Sequence, residues 1–371
     1  MTAPVSVSPV NSKSLQDWLP CTRVRVPGKV ILSGEHAVVY GAPGLACAIQ
    51  KYAFAKVTSN KMYGVHLKVP EFGIDQQFSY LQLSKLAQQT QSRHQQFLNN
   101  TKLLSSVVLN PEEFFAAAIG ASGLVDLLSN LHALNAGPTT GSTAGITIEL
   151  TMDLIAGGGM GSSAALVAAM LAASFKHLGQ PLTLAELIAK TTQSEHWQHG
   201  RSSGLDPYVC VMGGVQQYQK GFGERQILKL LVPCYLVTTG KPLSSTGECV
   251  EAVKQQGFPR SLWDQFCTVQ QNLLNGMHLN QQTDMLAAIQ ANHRLLHQIN
   301  IVPMAVCTFI DSIESYGGAA KVCGAGSVAG NHGGLVLAMG VDQSVLEQLA
   351  LSCGYVVQEM LPDLEGVFYF N

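Results

Sequence analysis

Residues 145–165 read GITIELTMDLIAGGGMGSSAA and carry the strongest structural signal in the chain. Apolar and polar residues alternate in ITIEL, which predicts a β-strand. A run of glycines follows, and Ser162 then opens an alanine-rich segment that ends with a basic turn at His177 and a glycine at position 179, which predicts a helix. The sequence therefore predicts a strand, a glycine-rich turn and a helix in succession.

A turn of this kind suits an anionic ligand. Glycines let the backbone approach a ligand closely, and the N-terminus of a helix presents unpaired N–H groups and the positive end of the helix dipole. Serine hydroxyls at that end can cap the helix or bind Mg²⁺ held by phosphates. The alternative is a glycine-rich turn with serine caps and no ligand. The segment is not a Walker A loop, because no Gly-Lys-Ser/Thr follows, and it lacks the spacing of a dinucleotide fingerprint.

Two further glycine-rich segments occur in the sequence, one before and one after this one. Residues 26–36 read VPGKVILSGEH and predict a strand, a turn at Pro27-Gly28 and a second strand. Residues 321–334 read KVCGAGSVAGNHGG and lead into the apolar strand LVLAM. Between these segments, Thr183 and Glu186 form a capping-box pattern that opens a helix. The Gln-rich segment 76–100 is predicted to be an exposed insertion or a loosely packed helix.

Composition limits the class of protein. The 371 residues are 47% hydrophobic and only 12% charged, which favours large buried cores in two domains. A net charge of −2 offers no basic field for nucleic acid. The longest apolar run, 164–175, is shorter than the span of about 20 residues that a membrane helix needs. The N-terminus resembles no secretion signal, and the nine cysteines form no CxxC pair. We therefore expect a cytoplasmic protein with neither a nucleic-acid nor a membrane partner.

Taken together, the three glycine-rich segments resemble those of the GHMP kinases. GGGMGSSAA (157–165) is similar to their PxGxGLGSSAA phosphate loop, and VPGKVILSGEHAVVYGAPGLACAI (26–49) is similar to the opening motif of the mevalonate kinase family within that superfamily. HGRSSGLDPYVCVMGG (199–214) resembles the HGxPSGxDxxxxxxGG segment, and residues 324–326, Gly-Ala-Gly, resemble the start of the third motif. The matches keep the family's order from about residue 24 to residue 334.

The resemblance implies an α+β GHMP kinase fold. Residues 1–225 would form an N-terminal domain like domain 2 of ribosomal protein S5, and residues 226–371 a ferredoxin-like C-terminal domain, with the substrates in the cleft between them. It also implies an enzyme, an ATP- and Mg²⁺-dependent kinase that phosphorylates the primary hydroxyl of mevalonate in isoprenoid synthesis. The sequence leaves a homodimer open.

The same resemblance assigns roles to individual residues. Asp206 would act on the acceptor hydroxyl, with Lys29 beside it, and Ser163 and Glu195 would bind Mg²⁺. The acceptor would contact Glu35, His36, Ser245 and Thr246. The third motif contributes Gly324, Ala325 and Gly326. The ATP phosphates would lie against Gly157, Gly158, Gly159, Met160, Gly161, Ser162, Ser163 and Ala164.

The sequence departs from the family in its third motif. The usual run of glycines is interrupted by Ser327, Val328, Ala329, Asn331 and His332, which leaves the acceptor open. Phosphomevalonate would need additional cations, and the motifs contribute only Lys29, Lys321 and Arg201. A sugar kinase, a non-catalytic nucleotide-binding sensor and a decarboxylase on this fold also stay open. The histidine pairs 196/199 and 293/297 are predicted to lie on polar helix faces.

Overall fold

The computed structural model describes residues 21–135, 145–219, 222–226 and 232–370, which form two β-sheets covered by helices. The described strands, in chain order, are β1 Thr22–Ser33, β2 Gly44–Asn60, β3 Gly64–Val69, β4 Ile74–Phe78, β5 Gly145–Met152, β6 Val215–Gln219, β7 Phe222–Gln226, β8 Cys234–Gly240, β9 Ala319–Cys323, β10 Gly334–Met339, β11 Val356–Glu359 and β12 Phe368–Phe370. The described α-helices are α1 Tyr80–Leu98, α2 Pro111–Ala121, α3 Leu124–Asn135, α4 Ser162–His177, α5 Leu184–His199, α6 Leu205–Met212, α7 Thr246–Gln256, α8 Arg260–His278, α9 Gln282–Gln298, α10 Met304–Ser315 and α11 Gln343–Cys353.

The larger sheet has eight strands. Its main path runs β12-β1-β2-β5-β3-β4, while β6 pairs with β2 and β7 pairs with β6. Every pairing in it is antiparallel except that of β3 with β5. The smaller sheet has the order β11-β8-β10-β9 and is antiparallel throughout. The predicted α+β class is confirmed.

The prediction of a turn at Pro27-Gly28 is wrong, because β1 runs through both residues as one strand. The register against β2 shifts between Pro27 and Gly28, so the strand contains an irregularity instead of a reversal. A proline has no N–H to donate to the ladder, and such an irregularity accommodates it. A Cβ on Gly28 would lie 2.8 Å from the carbonyl oxygen of Met160. Glycine at this position therefore lets the glycine-rich turn pack directly on β1.

Helix α4 has the bounds that the sequence predicts, Ser162 to His177. Its alanines are buried, and their small side chains allow the helix to pack closely against β1 and β2. Helix α5 begins with the predicted capping box, in which Thr183 and Glu186 bond each other's backbone. This packing fixes the turn that precedes α4 at one end of the larger sheet.

The Gln-rich segment is ordered rather than a loose insertion. After β4, the Ser79–Gln82 capping box starts α1, a regular helix of 19 residues. The helix buries Leu83 and Ala87 on the side that packs against α2 and exposes its glutamines. Of the two predicted alternatives for this segment, the structure therefore shows the helix.

The smaller sheet has its own core, which includes Phe266 of α8, Val322 of β9 and Val237 of β8. Sheet membership changes between β7 and β8, and the chain returns to the larger sheet when β12 pairs with β1. The domain division at residues 225 and 226 remains a prediction.

Within the described ranges, no single helix is long and apolar enough to cross a membrane. The pair α2 and α3 reaches that length and composition only when joined across a bend of 60°. Phe114, Phe115 and Leu128 of this pair are buried in the core of the protein.

Candidate active site

Lys29 lies on β1 directly after Gly28, and its side chain is almost completely buried. Its Nζ lies 3.0 Å from Oδ2 of Asp206 and donates a hydrogen bond to the carbonyl oxygen of Gly159 at 3.1 Å. Burial is the largest single effect on the pKa of Lys29 and lowers it, but the charge and hydrogen bond of Asp206, with smaller effects of Cys210 and Cys323, together raise that pKa above its ordinary value of 10.5. The ammonium therefore stays charged at neutral pH, where β1, α6 and the glycine-rich turn meet.

Asp206 occupies the first turn of α6. The preceding Gly204 has a φ of 84°, and a Cβ there would lie 2.5 Å from the hydroxyl of Tyr218, so the turn into α6 requires glycine. The side chain of Asp206 is 29% exposed, against 3% for that of Lys29. One carboxylate oxygen thus pairs with a buried cation while the group remains accessible to a substrate.

Alternate glycines shape the turn before α4. Gly157, Gly159 and Gly161 have φ values of 68°, 83° and 69°. A Cβ on Gly159 would lie 2.9 Å from the carbonyl oxygen of Cys323, and one on Gly161 would lie 3.1 Å from Cε of Lys29. The turn therefore packs against the third glycine-rich segment on one side and against Lys29 on the other.

The predicted phosphate-loop residues differ in which of their groups a ligand can reach. Residues 157–159 line a cavity, and Ser162 and Ser163 are half-buried in the first turn of α4, where no side chain caps the helix. The side chains of Met160 and Ala164 are buried in the core. These last two residues can offer only backbone groups to a ligand.

Glu195 is buried near the end of α5, and its carboxylate is only half satisfied. Oε2 lies 3.3 Å from Nε2 of His199, whereas Oε1 is buried with no hydrogen-bond partner. Burial alone lowers the pKa of His199, but Glu195 raises that pKa above 6.5. The charges of Asp206 and Lys29 also act on the pKa of His199, in opposite directions. A buried carboxylate oxygen without a partner is a fitting ligand for a hard cation.

Glu35 forms a fully buried ion pair. Its Oε1 contacts Nζ of Lys321, which also donates to the carbonyl oxygen of Ile31 at 3.0 Å. Its Oε2 accepts a hydrogen bond from Nδ2 of Asn292 at 3.4 Å, and Asn292 in turn accepts one from the hydroxyl of Ser33 at 2.8 Å. Both carboxylate oxygens of Glu35 are therefore engaged within the protein.

His36 connects the opening motif to the third one. It has a φ of 56°, and its Nε2 lies 3.0 Å from the carbonyl oxygen of Ala325. Burial lowers the pKa of His36 below 6.5 despite the opposing effect of that carbonyl, so the imidazole is neutral and Nε2–H donates the bond. Neither Glu35 nor His36 lines the cavity formed by the described residues.

The cavity has a volume of about 1480 Å³. Its wall includes residues 157–159, His199, Ser245, Thr246, Ala325 and Gly326. Ser245 is the N-cap of α7 and Thr246 its first residue. The structure thus brings the glycine-rich turn, the start of α7 and the third motif together around one space, next to Lys29 and Asp206.

Two features of the site were not identified from the sequence. Lys102 and Lys241 line the cavity with Arg201, and none of the three has an ion-pair partner among the described residues. Asn292 is completely buried on α9. Its position four residues after the buried Ala288 was a usable signal, because that spacing places a polar side chain on the apolar face of the helix.

The histidine pairs fit the prediction of polar helix faces only in part, since His297 is exposed whereas its neighbour one turn earlier is not. His293 is buried, and its Nδ1 has no hydrogen-bond partner. His199 faces Glu195 rather than solvent alone. Among the residues that the structure describes, no group of three or more His, Cys, Asp or Glu side chains is arranged to hold a metal ion.

Comparisons with known proteins confirm the predicted resemblance and the fold. Residues 124–214 match the family described as GHMP kinases N terminal domain. Mevalonate kinase of Bos taurus is 28% identical over 250 residues, which are 60% of this chain and 60% of that protein. Mevalonate kinase of Archaeoglobus fulgidus is 24% identical over 302 residues, 81% of this chain and 87% of that protein. The chain thus matches about 60% of the length of the first of these relatives.

Solved structures extend the similarity over most of the chain. A crystal structure of mevalonate kinase superposes with a TM-score of 0.71 at 18% identity, covering 92% of this chain and 99% of that one. L. major mevalonate kinase in complex with R-mevalonate gives 0.66 at 19% identity, covering 95% and 99%. At these identities the structures show that the fold is shared.

Proposed function

We propose that this chain, which carries a GHMP kinase N-terminal domain within the fold of solved mevalonate kinases, is itself a kinase that transfers the γ-phosphoryl group of ATP to the primary hydroxyl of mevalonate. The product is 5-phosphomevalonate. The observation that carries the proposal is the contact of Lys29 Nζ with Asp206 Oδ2 at 3.0 Å, next to the carbonyl of Gly159. Enzymes of phosphoryl transfer act mainly through positioning and charge neutralisation, and this pair provides both beside a glycine-rich turn.

Asp206 is proposed to orient the acceptor hydroxyl and to receive its proton. Its carboxylate is accessible, and the ammonium of Lys29 fixes one of its oxygens at a distance of 3.0 Å. Because Lys29 is buried and charged, it can also stabilise the negative charge that develops on the transferred group. A non-catalytic nucleotide-binding protein would need neither the accessible carboxylate nor its buried cation.

The ATP phosphates are proposed to lie along residues 157–161 and the first turn of α4. The alternate glycines have positive φ values, which let the backbone of this turn approach a ligand closely. The N–H of Gly158 already donates to the carbonyl oxygen of Ile155 at 3.1 Å, so the other N–H groups of the turn would face the phosphates. The uncapped end of α4 adds further N–H groups and the hydroxyls of Ser162 and Ser163. Backbone groups at Met160 and Ala164 can serve in the same way.

Ser163 and Glu195 are proposed to hold Mg²⁺. The support is the buried Oε1 of Glu195, which no protein group satisfies. Oxygen donors are the ligands that this ion prefers, and phosphate oxygens usually complete its coordination. When bound, Mg²⁺ neutralises charge on the phosphates.

On the acceptor side, Ser245 and Thr246 line the cavity. The Ser245 hydroxyl donates to Oε2 of Glu248 at 2.8 Å and accepts from the N–H of Glu248 at 3.3 Å, so it can only accept a further bond from a hydroxyl of mevalonate, which Thr246 can also contact. Arg201 and Lys241 are cations without ion-pair partners among the described residues, and either can bind the carboxylate of mevalonate. Direct contacts of Glu35 and His36 with the acceptor remain predictions. The bond of His36 to Ala325 supports a role for it, because Ala325 belongs to the cavity wall.

Cytoplasmic localisation is also proposed. All nine cysteines are free, which is typical of a reducing compartment. A homodimer remains a prediction, and light scattering during size-exclusion chromatography measures it directly.

Phosphomevalonate is a second candidate acceptor, and one observation favours it. An added phosphate brings about two further negative charges, and the cations Lys102, Arg201 and Lys241 line the cavity. The same cations can instead bind the phosphates of ATP. Mevalonate is preferred here because the opening motif resembles that of the mevalonate kinases.

The test is an ADP-release assay with mevalonate, phosphomevalonate, homoserine and galactose as acceptors. We expect turnover with mevalonate and little with the others. Faster turnover with phosphomevalonate would replace the proposed acceptor. ATP binding without ADP release from any acceptor would indicate a nucleotide-binding protein instead of a kinase.

A further inference from the structure

The third glycine-rich segment, residues 324–334, is interrupted by larger residues, and one of them is buried. Ser327 is 2% exposed although it lies in a loop. Its N–H donates a hydrogen bond to the carbonyl oxygen of Ile301 at 2.9 Å. Its hydroxyl donates a hydrogen bond to the carbonyl oxygen of Ala329 at 2.7 Å. A glycine at this position would lack the second of these bonds.

The same hydroxyl reaches a different segment of the chain. Oγ of Ser327 lies 3.3 Å from Oγ of Ser244 and accepts a hydrogen bond from the backbone N–H of Ser244 at 3.4 Å. The two residues are 83 positions apart in the chain. Ser244 directly precedes the N-cap of α7, so this contact joins the third segment to the start of that helix.

Close packing accompanies the hydrogen bonds. A Cβ on Gly330 would lie 2.7 Å from Cδ1 of Leu243, and a Cβ on Gly240 would lie 2.6 Å from Nδ1 of His332. The hydroxyl of Thr239 accepts from the N–H of Gly333 at 3.0 Å. Residues 324–334 and 239–246 therefore touch at several points, one of which is the contact of Ser327 with Ser244.

Both segments contribute to the wall of the cavity. Ser244, Ser245 and Thr246 belong to one, and Ala325 and Gly326 to the other. Any movement of one segment relative to the other changes the distance between groups that would face the acceptor. A bond between them fixes that distance before a ligand binds.

We propose that Ser327 is a positioning residue that fastens the third glycine-rich segment to residues 241–246 and so sets which acceptor the cavity takes. The selectivity part rests on the proposed function, whereas the fastening does not. Glycine at position 327 would remove the contact with Ser244, and the segments would be held only by the contacts nearer residues 330–334, such as the bond of Gly333 to Thr239. The wall around residues 324–327 would then fit a given acceptor less closely.

The fastening is tested in the ligand-free protein by hydrogen–deuterium exchange. We expect Ser327→Ala and Ser244→Ala each to speed exchange of amides in both 324–330 and 241–246, and the double variant to go little further. Ser352→Ala is the matched control, because the Ser352 hydroxyl donates to the carbonyl of Leu349 at 2.7 Å on an exposed helix end. Unchanged exchange in both segments of Ser327→Ala would overturn the proposal, whichever reaction the protein catalyses.

The selectivity is tested by steady-state kinetics with the acceptor that supports the fastest ADP release and with a second acceptor, and we expect Ser327→Ala to lower the ratio of their kcat/KM values. We expect Ser327→Ala to raise the acceptor KM by about threefold to tenfold, as the loss of one hydrogen bond implies, and to leave the KM for ATP within twofold. A larger effect on ATP than on the acceptor would contradict the assignment to the acceptor side. Absence of turnover in the wild-type protein would instead count against the proposed function. The exchange experiment would still test whether Ser327 holds the two segments together.

Discussion

Lys29 Nζ lies 3.0 Å from Asp206 Oδ2, and the two side chains differ sharply in their exposure to solvent. Lys29 extends from β1 of the larger sheet, and Asp206 lies on the first turn of α6. The buried ammonium holds one face of the carboxylate, while the exposed part of the carboxylate remains available. This arrangement leaves a carboxylate fixed in orientation beside the glycine-rich turn, which is what the proposed transfer to a hydroxyl would use.

The contact between the glycine-rich turn and the third segment is tested by two alanine substitutions. Gly157 and Gly159 both have positive φ, but a Cβ on Gly157 meets open space whereas one on Gly159 would lie 2.9 Å from the carbonyl of Cys323. Both variants should lose stability through the unfavourable φ, by about 1–2 kcal/mol. Gly159→Ala should lose a further 1–3 kcal/mol or so through overpacking. Urea denaturation measures both, and equal losses would show that the two segments are not in contact.

Removing one charge of the buried Glu35–Lys321 pair should destabilise the protein strongly. Replacing both charges by neutral side chains should change its stability much less. Lys321→Met leaves the Glu35 carboxylate buried without its cation, and we expect a loss of about 3–5 kcal/mol in the free energy of unfolding. Glu35→Gln combined with Lys321→Met removes both charges and should recover most of that loss. Urea denaturation of the single and double variants measures the difference. A double variant as unstable as Lys321→Met would show that the loss does not come from the unpaired carboxylate of Glu35.

His177 should make stability depend on pH below neutrality. It is buried, with its ring nitrogens 2.9 Å from the hydroxyl of Ser59 and 3.3 Å from that of Thr22, and burial lowers its pKa to about 4. Between pH 6.5 and 4 the unfolded chain binds this proton and the folded chain does not, so stability falls as pH falls. His177→Gln should reduce that slope, while the exposed His278→Gln should not. Equal slopes in wild type and His177→Gln, from urea denaturation at several pH values, would contradict this.

The metal site is tested by Mg²⁺ titration at saturating ATP. Ser163→Ala and Glu195→Gln each remove or weaken a hard oxygen donor, and we expect the Mg²⁺ concentration for half-maximal rate to rise by about tenfold or more. Glu186→Gln, at the exposed start of the same helix as Glu195, is the control and should leave the titration unchanged. If neither variant moves the titration, these residues do not hold the ion.

Local sequence signals were sufficient for much of the fold. The bounds of α4 and the capping box of α5 follow from residues within a few positions of each other. The prediction of a turn at Pro27-Gly28 was wrong, because this dipeptide, although common in turns, lies here within β1 at the point where the register against β2 shifts. Proline and glycine indicate an irregular local backbone. Whether that irregularity is a turn or a shift within a continuous strand depends on the pairing with β2.

The long-range contacts of the site were beyond what the sequence could show. The partners of Glu35 are Lys321 and Asn292, which lie 286 and 257 positions away. No periodicity or spacing links residues so far apart, and the fold alone brings them together. The same holds for the contact of Ser327 with Ser244. A resemblance to a family identified Glu35, but only the structure shows that its carboxylate is engaged inside the protein.

Asp206 is proposed to act on the hydroxyl of mevalonate, and one variant tests this role most directly. Asp206→Asn keeps the size of the side chain and removes its charge, so the fold and nucleotide binding should persist. We expect the initial rate of mevalonate-dependent ADP release to fall by about three orders of magnitude or more, the upper part of the range for general acid–base catalysis, with the affinity for a fluorescent ATP analogue within a few-fold of wild type. An Asp206→Asn protein that phosphorylates mevalonate at close to the wild-type rate would contradict the account.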